Sequence, residues 1–184
     1  MIKAILLNGP PECGKDTIGK LLQEKISCAL TCFKFDLYKA TADYFQVDLD
    51  WLIDKCTDRN FKDIKQFSML GGRTPRGALI HVSEDIIKPK YGKDYFGKLA
   101  AARITSNRDY INLVVFTDSG FVDEVTPITE VAEVIIVQLH GRGSFEGDSR
   151  SYVNITGVDI LQLQLVEDDP DITVRDIISI LGLS

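Results

Sequence analysis

Ile2-Lys3-Ala4-Ile5-Leu6-Leu7-Asn8-Gly9-Pro10-Pro11-Glu12-Cys13-Gly14-Lys15-Asp16-Thr17 opens the chain, and its reading decides the fold. Residues 2 to 7 form a short, nearly continuous apolar run, as expected of a strand covered on both faces. Ile18, Leu21, Leu22 and Ile26 then recur at helical spacing. Between them, Gly9 to Lys15 fits G-x-x-x-x-G-K, with Asp16 where Ser or Thr usually stands and Thr17 one place later. Glycines let backbone N–H groups turn towards an anion, and the following helix points its positive dipole end at the same spot. Lys15 adds a point charge for the outer phosphates of a nucleotide. Glycines that merely turn a corner need no lysine in register. A phosphate loop comprising Gly9, Glu12, Cys13, Gly14, Lys15, Asp16 and Thr17 is therefore expected. Glu12 brings negative charge into it, so its side chain should point outwards. Cys13 reads as a small filler of a tight turn. Asp16 or Thr17 would offer an oxygen to Mg2+, and the spacing does not choose between them.

Further along, Cys28 to Phe35 reads as a second strand. A helix is expected after Asp36, taken as its N-cap, with Leu37, Ala40, Tyr44 and Phe45 marking one face. The polar stretch from about Asp48 to Thr74 shows no clear pattern. Thr74-Pro75 starts another helix, N-cap followed by Pro at the first helical position, with Leu79, Val82 and Ile86 inward and Pro89 as its stop. A helix is expected over Asp94 to Ile104, and strands over Asn112 to Phe116 and Val134 to Leu139. Residues 140 to 150 form a polar loop with three glycines. Leu161, Leu163 and Leu165 alternate with glutamines, as in a half-buried strand at an edge. Val174, Ile177, Ile178 and Leu181 mark a final amphipathic helix. Strands alternating with helices predict an α/β domain with a mostly parallel sheet, whose ligands bind beyond the carboxyl ends of the strands.

Composition agrees. The 184 residues are 45% hydrophobic and 26% charged, with no repeat, linker or membrane-length apolar run. A formal charge of −6 argues against a mainly electrostatic nucleic-acid binder. Cys13, Cys28, Cys32 and Cys56 contain no CxxC, and His81 and His140 are isolated. Zinc and a disulfide framework are thus disfavoured, and a reduced, cytoplasmic setting is expected.

The GKDT loop resembles that of the bacteriophage deoxynucleoside monophosphate kinase family. Phe35-Asp36-Leu37-Tyr38-Lys39, Gly72-Arg73-Thr74-Pro75-Arg76 through Glu84, and Phe116-Thr117-Asp118-Ser119-Gly120-Phe121 with Glu124 are similar to further segments of that family. The resemblance covers most of the chain up to about Arg150, and only the phosphate loop is individually specific. It implies a P-loop kinase-type three-layer fold in one domain of residues 1–184. A substrate-binding helical region would span about 37–105 and a lid-like loop about 140–151. It also implies ATP- and Mg2+-dependent phosphorylation of a (deoxy)nucleoside monophosphate, by a monomer or homodimer without nucleic-acid or membrane partners. If phage-encoded, the chain would work in the host cytoplasm. One departure is Gly120, at a place where the family often carries arginine.

In this reading Lys15 and the loop amides hold ATP, and Asp16, Thr17 and Asp118 organise Mg2+. Arg76, in a first helical turn, offers a fork to the acceptor's phosphate. Arg73 is a weaker candidate, Lys39 rests on the resemblance, and Glu84 would touch sugar or base. Asp118 should sit at a carboxyl strand end, where P-loop proteins place an acid near Mg2+. Arg142, Asp148 and Arg150 lie in the glycine-rich loop, where Arg142 or Arg150 would close over the transferred group. No Ser-His-Asp, Cys-His or paired-carboxylate set is evident. Phosphoryl transfer to an anionic acceptor needs none. The alternatives are a kinase for another small phosphorylated acceptor, since GKD also resembles the loop of animal phosphomevalonate kinases, an NTPase, and a nucleotide-binding protein without turnover.

Overall fold

A computed structural model of the chain describes residues 2–58, 60–166 and 169–183. The chain divides into two compact units, Met1–Phe33 with Gly97–Ser184, and Lys34–Phe96.

In the first unit, strands β1 (Lys3–Asn8), β2 (Ala29–Thr31), β3 (Leu113–Ser119), β4 (Glu133–His140) and β5 (Asp159–Gln164) form one sheet in the order β2-β3-β1-β4-β5. Every pairing is parallel. Central β1 explains the continuous apolar run at its start, because successive side chains alternate between two covered faces. Ala4 and Leu6 join Val114, Phe116 and Ile136 on one face, with Ala100, Ile104, Val125 and Ile128 packed over them. Ile5 and Leu7 join Val115, Val137 and Leu139 on the other, under Ile18, Leu22, Val174 and Ile177. The covering helices are α1 (Lys15–Lys25) and α8 (Pro170–Leu181) on this second face, and residues of α6 (Tyr95–Ser106) and α7 (Val122–Thr129) on the first. This is a three-layer α/β arrangement. At the β5 edge only Leu161 and Leu163 are half-buried, as their alternation with polar residues predicts.

The second unit is helical, with α2 (Lys34–Phe45), α3 (Leu49–Thr57), α4 (Pro75–Ile80) and α5 (Lys88–Tyr91). Its core gathers Ala42, Leu52, Cys56, Leu70 and Ala78. Burial pushes the Cys56 thiol up to about 11. None of the four cysteines is in a disulfide. Among the described residues no helix is long and apolar enough to cross a membrane.

Four local expectations are corrected. The second strand ends at Thr31 because side chains take over the backbone there. Arg103 Nη2 donates to the Cys32 carbonyl at 3.0 Å, and Phe33 N–H donates to Asp118 Oδ1 at 2.8 Å. The next helix begins at Lys34, so Asp36 lies in its first turn, complementing the dipole there without being the N-cap. Its buried face is Thr41 and Ala42, while Tyr44 is 48% exposed. Pro89 does not stop the helix begun at Pro75. Residues His81–Ile87 widen into a π-helix, and Lys88 N–H bonds five residues back to Ser83. Pro89 sits in the first positions of the last α-turn, Lys88–Tyr91, where a missing N–H is tolerated. The unpatterned stretch contains α3, whose cap Asp48 accepts from Trp51 N–H, and a 3-10 turn at Ser68–Leu70. Thr74 caps α4 as expected, accepting from Gly77 N–H.

The carboxyl ends of the strands are joined by a buried amide. Asn8 Nδ2 donates to the carbonyls of Ser119 and Ser151 at 3.0 and 3.1 Å, and Asn8 Oδ1 accepts from Val153 N–H at 2.8 Å. Substituting Asn8→Ala would leave three backbone groups without these partners. A loss of about 3 kcal/mol is expected. Urea unfolding measures it, and a loss within experimental error would show that these bonds add no net stability.

Candidate phosphate-binding site

Strand β1 delivers the loop at its carboxyl end, and Gly14 passes the chain into α1 with a φ of 101°, a left-handed conformation that favours glycine. As N-cap, Gly14 has no side chain to satisfy the first N–H groups of α1, which suits an external anion. Lys15 follows and is nearly buried. Its Nζ donates to the carbonyls of Gly9 at 2.8 Å and Pro10 at 2.6 Å, and lies 3.5 Å from Cys13 Sγ. The lysine thereby closes the loop into a ring. Burial pushes its ammonium below the ordinary lysine pKa. Arg150 pushes the same way, against the pull of the Cys13 sulfur and Asp16.

Glu12 is exposed and adopts a φ of 63°, so its side chain points outwards at a backbone cost that glycine would not carry. Asp16 and Thr17 are both exposed in the first turn of α1. Cys13 is buried. Asp118 lies in β3, one residue before its end, with one carboxylate oxygen held by Phe33 N–H. The guanidinium groups of Arg103 and Arg150 both interact electrostatically with it.

Arg150 is held by a carboxylate fork. Its Nε and Nη2 meet the two oxygens of Asp148 at 2.8 and 2.6 Å, and its own N–H also bonds Asp148. Those bonds outweigh burial and hold the guanidinium above the ordinary arginine pKa. Its aliphatic stem covers Gly120, where an added Cβ would come within 2.7 Å of Arg150 Cγ and Cδ. Gly120, the departure noted in the sequence, is thus covered by an arginine from another part of the chain. Arg142, by contrast, is exposed on the glycine-rich loop.

In the second unit each candidate has a local contact of its own. Lys39 is exposed, with its ammonium 4.3 Å from the Phe35 ring centre. Arg73 Nη1 turns back to the Gly71 carbonyl. Arg76 Nε pairs with Asp63 at 2.9 Å in a half-exposed ion pair. Glu84 accepts from Lys88 and Ser83.

Hard oxygen donors at Asp16, Thr17 and Asp118 suit Mg2+. Among the described residues no three His, Cys, Asp or Glu side chains gather into a metal cage. Mg2+ held through one or two side chains and substrate phosphates requires no such cage.

Sequence reasoning missed Asn8, Gln138 and Ser119, which organise this end of the sheet. Ser119 Oγ donates to the Leu7 carbonyl, and Gln138 bridges the Val153 carbonyl and Gln162. Each is a polar residue within or ending an apolar strand, and that was the available signal.

The chain matches no protein-family model and no curated protein sequence. Solved structures do resemble it. An unliganded sugar kinase from Janibacter sp. HTCC2649 superposes with a TM-score of 0.56 at 10% identity, covering 100% of this chain and 96% of that one. A cysteine-to-alanine variant of the APS kinase of Mycobacterium tuberculosis gives 0.50 at 11%, covering 98% and 97%. Shikimate kinase from Acinetobacter baumannii, bound to shikimate, gives 0.50 at 10%, covering 99% and 93%. At such identities the likeness shows the fold, which is the P-loop α/β fold of these small-molecule kinases.

If Lys15 meets a nucleotide phosphate, ATP affinity should fall as pH rises through a lysine pKa below 10.5, because the ammonium then loses its proton. Calorimetric titration across pH 7 to 10 measures this. Lys15→Arg should flatten the profile, and identical profiles for both proteins would remove Lys15 from the contact.

Proposed function

We propose that this chain transfers the terminal phosphoryl group of ATP to a small acceptor, and that the acceptor is a (deoxy)nucleoside monophosphate. The observation that carries the kinase reading is the Lys15-closed loop between central β1 and α1 of a parallel sheet. Such a loop offers amides, a helix N-terminus and a cation to polyphosphate oxygens. The nucleotide acceptor is supported by the GKDT, T-P-R and Asp118 segments together.

Lys15 exchanges its bonds to Gly9 and Pro10 for the outer phosphates of ATP. Asp16 or Thr17, with Asp118, holds the Mg2+ shell. Mg2+ held there would supply charge neutralisation for the phosphate oxygens. Arg150 faces the transferred group, and Arg142 approaches with the glycine-rich loop. Lys39 and Arg76 are assigned to the acceptor, with Arg73 and Glu84 in supporting roles. An acceptor oxygen bonds the γ-phosphorus as its bond to the β–γ bridging oxygen breaks, and ADP leaves with that electron pair. In-line positioning and charge neutralisation suffice, since the attacking oxygen is already anionic.

A second reading is a kinase for a different small acceptor. Arg76 and Glu84 are each engaged by a neighbour within their own unit. The solved relatives are named as kinases of sugar, APS and shikimate.

ADP formation from ATP and Mg2+ should depend on one of the ribo- or deoxynucleoside monophosphates, and Lys15→Ala should lower kcat/KM by roughly a hundredfold or more. ADP formed only with a sugar or another non-nucleotide acceptor would favour the second reading. Acceptor-independent ADP, or full activity in Lys15→Ala, would overturn the first.

A further inference from the structure

The segment after the glycine-rich loop is tied down almost residue by residue. Ser151 N–H bonds the Gly120 carbonyl, and the Ser151 carbonyl accepts from Asn8. Tyr152 Oη–H donates to the Leu139 carbonyl at 2.9 Å. Val153 is bonded at its N–H by Asn8 and at its carbonyl by Gln138. Arg150 begins this strap, with its fork clamped on Asp148 and its stem over Gly120. Arg150 and Asp148 side chains are only 17% and 15% exposed. An arginine so held does not travel with a closing loop.

We propose that Asp148 is a positioning residue which, with Gly120 as the seat, fixes Arg150 beside Lys15 and Asp118 as a phosphate-binding arginine already in place before nucleotide arrives. The inference deepens the kinase reading and rests on it. Arginine is suited to this task because its planar fork can engage a carboxylate along one edge and still present further N–H donors. A preset donor also loses little side-chain entropy on binding. Without a Cβ at Gly120 the stem lies flat. That glycine does not adopt a positive φ, so alanine there would displace the arginine without straining the backbone.

The test is a double-mutant cycle on the full chain, read by kcat/KM and, separately, by calorimetric ATP affinity. Asp148→Asn and Arg150→Lys should each lower kcat/KM roughly tenfold, and the double variant should lose no more than either alone. Equal losses from Asp148→Asn in the wild-type and Arg150→Lys backgrounds would mean a merely structural role and overturn the proposal. If Asp148→Asn does not fold, Gly120→Ala replaces it. It should be harmful in the wild-type background and neutral beside Arg150→Ala, and equal harm in both overturns the proposal. If the wild-type protein phosphorylates no acceptor, the kinase reading fails and ATP affinity decides. Asp148→Asn and Arg150→Lys should each weaken it roughly tenfold and non-additively, and unchanged affinity in either overturns the proposal.

Discussion

The Asn8 side-chain amide, fully buried at the end of the central strand, is the constraint on which this site depends. It satisfies backbone groups from Ser119, Ser151 and Val153 at once. Strand ends in a parallel sheet leave carbonyls and N–H groups facing the ligand crevice, and buried ones cost free energy unless paired. By pairing them, Asn8 ties the carboxyl ends of β1 and β3 to the strap after residue 150. The phosphate loop begins one residue later. Loop and strap consequently share one anchor.

Electrostatics then set what the site can hold. Lys15 is nearly buried and bonded to its own loop, so its ammonium is partly desolvated and compensated by two carbonyls rather than by a carboxylate. Such a cation is primed to exchange carbonyls for phosphate oxygens, with better charge matching. Arg150 is the opposite case, matched to Asp148 and held charged. Lys15 and Arg150 act electrostatically on one another, and Arg150 on Asp118. An exchangeable and a fixed cation thus meet at this end of the sheet, an arrangement that favours a polyphosphate over a neutral ligand.

Much of this was legible because it is local. The G-x-x-x-x-G-K spacing, the Thr74-Pro75 helix start and the alternation of Leu161, Leu163 and Leu165 are short-range patterns whose physics involves neighbouring residues. The misses involve distant partners. The second strand was read too long because the groups that end it come from Arg103 and Asp118. Pro89 was read as a stop because the preceding π-helix that accommodates it leaves no simple periodic mark. Val134 to Leu139 is the expected strand, within β4, and what escaped the reading is Gln138 inside it, which bonds Val153 and Gln162.

By itself, the sequence determined the alternation of strands and helices outside residues 48–74, the position of the loop between β1 and α1, and the burial of β1 on both faces. These follow from periodicity, from glycine at the loop-to-helix turn and from lysine in register. Only the tertiary structure decided that the Arg150 stem covers Gly120, that Asp148 pairs with that arginine, and that Asn8 joins three segments. Those contacts link residues up to 145 positions apart, as in Asn8 with Val153. Hydrogen-bond geometry between such residues exists only once the sheet has brought them together.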